Sequence, residues 1–198
     1  MKHTIARIAG RALALCLLSS AAALASAQAA PAAKPAKPAV GTPQPPSQIY
    51  GKLLAGMEKE FVDLAEAMPE DKFNYAPTEG EFKGVRSFSG QVKHVAEANY
   101  FFFAGDSFTE AQDKAKSEAI EKLTSKADII AALKDSFQLA HTLVDGTTAD
   151  NAFVTTTHGT RAGMISFGLA HLNDHYGQMV VYLRSNGIIP PASRGGNM

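Results

Sequence analysis

The run Ile165-Ser166-Phe167-Gly168-Leu169-Ala170-His171-Leu172-Asn173-Asp174-His175-Tyr176-Gly177-Gln178-Met179-Val180-Val181-Tyr182-Leu183 decides how this chain is read. Ile165, Leu169, Leu172, Met179 and Leu183 recur at helical spacing, which predicts a helix from Arg161 to Asn186. Gly187 and Pro190 follow as its stop. On that helix His171 and His175 lie four residues apart, so their imidazoles leave one face a turn apart. This is a common way for a helix to hold a metal, although the spacing alone does not separate two ligands from an ordinary surface pair. Gly168, Gln178 and Tyr182 share the stripe. Gln178 or Asp174 is placed to orient a ligand, Asp174 having a solvated surface position as the alternative. Gly177 is expected at a helix–helix contact.

His94 lies in a second apolar-periodic stretch, Val92 to Phe103. An antiparallel arrangement of the two helices would set it opposite the pair. Three neutral imidazoles bind a divalent ion and leave positions open, unlike the closed four-ligand sites of structural zinc.

Two further stretches extend the pattern. His175-Tyr176-Gly177-Gln178 runs on to Tyr182-Leu183-Arg184, then Gly187 and Pro190. Earlier, Met68-Pro69-Glu70-Asp71-Lys72-Phe73-Asn74-Tyr75-Ala76-Pro77-Thr78 is followed by Ser87-Phe88-Ser89-Gly90-Gln91-Val92-Lys93-His94. Together these resemble the DinB-like superfamily of metal-binding four-helix bundles, over about Ser47 to Pro191. The resemblance implies an all-α up-down four-helix bundle with a divalent metal held by His94, His171 and His175 between its second and fourth helices, and imidazole ligands suit zinc, nickel or iron without choosing among them. It also implies metal-dependent hydrolase or transferase chemistry, several members joining low-molecular-weight thiols to electrophiles. Tyr176 stands where many members carry a further His, a departure expected to touch only the pocket lining.

Punctuation supplies the other helices. Ser47 is placed as the N-cap of a first helix carrying Ile49, Leu53, Leu54, Met57, Phe61 and Leu64 and stopped by Pro69. Residues 74–86, with Pro77, Gly80 and Gly84, read as a loop over one end. A second helix is expected from Ser87 to Ala104 before Gly105. Residues 106–122 read as a charged, alanine-containing surface connection with a helical turn of its own. A third helix is expected from Ser125, with Asp128 three residues on, to Asp145-Gly146.

The N-terminus has the order of a secretory signal peptide over residues 1–29: Lys2, Arg7 and Arg11, an apolar run from Ala12 to Leu24, then Ala25-Ser26-Ala27 or Ala27-Gln28-Ala29. The apolar run is too short for a stable anchor. Leu15 before Cys16 argues against a lipobox. These features predict a secreted or periplasmic protein with no stable membrane insertion once residues 1–29 are removed. Cys16 is the only cysteine, so the mature chain would have neither disulfides nor thiolate ligands. Residues 30–46, rich in Ala, Pro and Lys, read as a linker. Residues 47–191 suit one domain, and 192–198 read as a flexible tail.

The chain carries 19 basic and 19 acidic residues, and removal of Lys2, Arg7 and Arg11 leaves 16 against 19, a net charge of −3. No basic patch with interleaved aromatics is present, so nucleic acid is not expected as a partner. No Gly-x-Ser-x-Gly elbow or phosphate-binding glycine loop is present.

Lesser candidates remain. Glu97 is open as fourth ligand, general base or exposed carboxylate, with exposure favoured. His141 and His158 read as structural or surface residues. In Tyr100-Phe101-Phe102-Phe103 consecutive rings diverge, giving core or homodimer contacts and at most one ring in a pocket. The partner expected is a small-molecule substrate, unless the chain is a non-catalytic metal-binding or interaction module of the cell envelope.

Overall fold

The computed structural model describes residues 37–195. The signal-peptide reading, Cys16, the start of the linker and the end of the tail lie outside them. Residues 37–45 are exposed coil. Five helices follow: α1 (Pro46–Ala67), α2 (Phe88–Phe103), α3 (Glu110–Glu121), α4 (Lys126–Asp145) and α5 (Arg161–Ser185). Between the last two, β1 (Thr155–Thr156) and β2 (Gly159–Thr160) form a two-stranded antiparallel hairpin. No helix among the described residues is long and apolar enough to cross a membrane.

Helices α1, α2, α4 and α5 form the bundle, and side-chain partners fix their directions. Along α1 and α4, Glu58 meets His141 and Glu66 meets Lys134, so these helices are antiparallel. Along α2 and α4, Asn99 meets Ser136 and Gly105 abuts Leu143, so these run parallel. Along α2 and α5, Gln91 meets Gln178 while Phe102 meets Phe167, which is antiparallel again. The expected all-α bundle is present, with its helices running up, down, down, up in place of simple alternation.

That order explains α3, which sequence reading reduced to a turn. A chain leaving one helix must travel back along the bundle before starting a second helix parallel to it. The 12 residues of α3 cover about 18 Å of that return. Their start is fixed by a reciprocal capping box, with Gln112 N–H donating to Thr109 Oγ1 and Thr109 N–H to Gln112 Oε1. Their far end is tied to α2 by Lys93, whose ammonium donates to the Glu121 carbonyl at 2.8 Å and its carboxylate at 3.1 Å. Only Ile120 of α3 is buried.

Elsewhere the elements fall close to their sequence signals. Ser87, Ser125 and Thr160 cap α2, α4 and α5 by accepting from the backbone N–H three residues on. Helix α1 begins at Pro46, ahead of the expected cap at Ser47, because proline at a first helical position loses no intrahelical bond. Its inward stripe is Leu54, Met57, Phe61 and Leu64, and Ile49 and Leu53 fall outside it, about half exposed. Helix α5 ends where Gly187 takes φ +73°, with Gly187 N–H on the Arg184 carbonyl and Ile188 N–H on that of Leu183. The core is aromatic and aliphatic, centred on the fully buried Phe61, Phe88, Phe103, Phe137, Leu133 and Leu172.

Helices α2 and α5 approach closely at Gly168. A Cβ there would lie 2.7 Å from Phe103 Cζ and 3.0 Å from Phe102 Cβ, so only a missing side chain admits the two aromatics. Gly177, expected at a helix contact, is instead exposed, with nothing within 4 Å of where its Cβ would be. The two glycines therefore respond oppositely to alanine. Gly168→Ala overpacks the core and is expected to lower unfolding free energy by about 1–3 kcal/mol. Gly177→Ala gains helix propensity and is expected to raise it by up to about 1 kcal/mol. Urea denaturation of both variants checks the pair, and a neutral Gly168→Ala would show that the approach is not tight.

Candidate metal centre

One turn beyond Gly168, α5 presents His171 and then His175 to α2, where His94 faces them. His171 Nε2 lies 3.2 Å from His94 Nε2 and 3.0 Å from His175 Nε2. All three ligand atoms fall within 4.8 Å of one another, so the expected convergence is present. Tetrahedral ligands about 2.1 Å from an ion sit about 3.4 Å apart, close to the two spacings observed. Three imidazole nitrogens this near one another cannot all be satisfied by shared protons, whereas one cation satisfies all three lone pairs. The residues present fit a divalent ion.

The electrostatics favour the same state. Burial, then the Arg86 guanidinium, lowers the His94 pKa to about 4. Burial, then the neighbouring His175, lowers that of His171 to about 4. Burial also lowers that of His175. Neutral imidazole is the form that binds a metal.

A polar chain fixes which nitrogen of His175 is free. The Asp174 carboxylate can only accept, and Gln178 Nε2 donates to it at 3.0 Å. Gln178 Oε1 then accepts from Gln91 Nε2 at 2.9 Å, which leaves Gln91 Oε1 to accept from His175 Nδ1–H at 2.7 Å. The proton is held on Nδ1 and the Nε2 lone pair points into the cluster. Sequence reading proposed Gln178 or Asp174 for this task, and both are outer links. The direct partner, Gln91, was missed, although it lies three residues before His94 on the same turn of α2. His171 has no such partner: its Nδ1 is buried without one.

Glu97 does not take the exposed position favoured for it. It is partly buried, with Oε1 enclosed and unpartnered. Burial and then the Glu121 carboxylate push its carboxyl up to about 7. It stands outside the group of three nitrogens but shares with His94 and His171 a cavity of about 250 Å³, lined also by Ala98, Phe101, Phe102, Asp113 and Ser117. Two rings of the aromatic run line this cavity, where at most one was expected. Phe101 is left 41% exposed between α2 and α3, and Phe102 lies against His171 with ring centroids 5.1 Å apart. Tyr176 is absent from the lining and packs its ring edge on Phe61 of the core, 5.9 Å between centroids.

A family model described as the DinB superfamily matches residues 53–179, which include the three histidines, Gln91 and Gln178. The chain belongs to the DinB superfamily. No curated protein matches it. As in the sequence reading, the remaining histidines of the DinB domain serve elsewhere. His141 Nε2 pairs with Glu58 at 2.7 Å between α4 and α1, and the His158 ring lies 4.8 Å from that of Phe101.

Loss of the direct orienting partner should be felt as metal affinity. Gln91→Leu is expected to weaken zinc binding by about 10- to 100-fold with the helical content intact. Competition against a chromophoric chelator measures it. Affinity within twofold of the parent would mean that His175 needs no orienting bond.

Proposed function

We propose that this DinB-superfamily protein is an exported metal-dependent hydrolase or transferase whose ion is bound by His94, His171 and His175. The observation that carries the reading is the juxtaposition of three converging imidazoles with a raised carboxyl that shares a cavity with two of them, His94 and His171. A divalent ion in that position supplies Lewis-acid polarisation of the substrate. Glu97 supplies the proton transfer. A carboxyl titrating at about 7 is divided between its two forms at neutral pH, so it can take a proton from an entering nucleophile and return it to a leaving group. Gln91 keeps His175 in the ligating tautomer, and the rings of Phe101 and Phe102 limit water around the reacting atoms.

The same features set the pH dependence. The base form of Glu97 becomes predominant above about 7, so turnover is expected to rise through that value and to level off beyond it. Chelator should abolish activity and a divalent ion restore it. Glu97→Gln is expected to retain metal while losing about 10²- to 10⁴-fold in rate together with the limb near pH 7. A screen of hydrolytic and thiol-transfer substrates against the variant with all three histidines replaced by alanine checks this. No metal-dependent rate above that variant would replace the enzyme with a metal-binding module of the envelope.

Export is supported by the order of basic, apolar and small residues at the N-terminus. Thiol cosubstrates of the family's transferases are cytoplasmic, so an exported member works on another nucleophile, of which water is the simplest. Mass spectrometry of protein recovered from the cell exterior or periplasm is expected to find a chain starting near Gln28 or Ala30. An intact N-terminus or a lipidated Cys16 would overturn the localisation.

A further inference from the structure

We infer that the cavity at the histidines continues into a second one, and that the two form a single trough for an elongated small molecule with an aromatic body. This rests on the metal reading of the site and names the class of molecule that reaches it. The second cavity, about 260 Å³, lies between the end of α2 and the start of α3. Its apolar walls are Tyr100, Phe101 and Phe108, the Tyr100 and Phe108 rings being 5.7 Å apart at 45°. Phe101 and Asp113 line both cavities, which sets the two side by side along the α2–α3 seam.

Size and chemistry then select the occupant. Sites for small organic molecules run from about 300 to 1,000 Å³. Either cavity alone falls short of that range, and the two joined lie within it. At the first, His94 and His171 face the space, which places the reacting group there. The second offers rings on several sides, a setting that favours a planar aromatic group through edge and face contacts. Glu110, Lys114 and His158 line the same end and accommodate a polar substituent. Phe101, between the two, is a large apolar side chain only partly covered by the His158 ring, and a bound ring would cover the rest.

Zinc-loaded full-length protein tested with three hydroxamates of increasing reach separates the possibilities. Acetohydroxamate occupies the metal alone, benzohydroxamate adds a ring beside it, and 4-phenylbutanohydroxamate carries a ring toward the second cavity. The longest probe is expected to bind about tenfold more tightly than acetohydroxamate. It should also shift the amide resonances of Phe108 and Lys114, which acetohydroxamate leaves in place. Phe101→Ala is expected to remove most of that gain, read as the ratio of the longest probe's affinity to that of acetohydroxamate in the same variant. His158→Ala, at an exposed hairpin turn, is the second variant and should reduce the gain in part. Equal affinity for all three probes, or a gain that survives both variants, overturns the trough while leaving the metal centre standing. Failure of the protein to take up zinc overturns the metal centre, and failure of acetohydroxamate to bind once zinc is held overturns its open coordination positions; in either case the trough as a substrate site falls with it.

Discussion

The contact on which the site depends is the close approach of α5 to α2 at Gly168. Phe102 and Phe103 occupy the volume that any side chain there would need, and the next turn of α5 carries His171 within reach of His94. Imidazoles are short. A helix separation set by a larger residue would move the facing nitrogens apart by more than the tolerance of a coordination shell, a few tenths of an ångström. Packing therefore comes before chemistry in this molecule: the aromatic pair that fills the core also sets the span across which three nitrogens meet. Phe102 serves in each capacity, touching Gly168 on one side and the His171 ring on the other.

Polarity is arranged around that contact with equal economy. His175 is anchored through Gln91 and Gln178 to a carboxylate at the surface, so a charge outside the site determines the tautomer within it. Amide side chains suit the task because each offers a donor and an acceptor and passes direction along without carrying charge into the interior. Glu97 shows the opposite treatment. Its carboxyl is enclosed near Glu121, and both the enclosure and that neighbouring charge keep its proton affinity high.

Much of this was legible in the sequence because it rests on short-range rules. The pair at positions 171 and 175, the start of α2 near Ser87, the cap at Ser125 and the stop at Gly187 are each set by neighbours within a turn. What escaped depends on partners far along the chain. Gln91 could be placed on the face of His94, but its bond to His175 exists only once α2 and α5 are antiparallel and in register. The enclosure of Glu97 comes from α3, itself misread because its residues are polar and it buries a single side chain, although its capping box was present in Thr109 and Gln112. Gly168 and Gly177 look alike in sequence. Only the facing helix distinguishes the one that admits a phenyl ring from the one that faces solvent.

The modest attachment of α3 has a consequence for motion. A helix with one buried side chain, held by a capping box at its start and a lysine at its end, has a small free-energy gap to local opening compared with the bundle it covers. Its amide hydrogens should exchange with solvent well before those of α2 and α5. Because it forms a wall of the cavity at the histidines, through Asp113 and Ser117, that opening is also a way in. The packed bundle holds the three histidines, and the helix with a single buried side chain stands beside them.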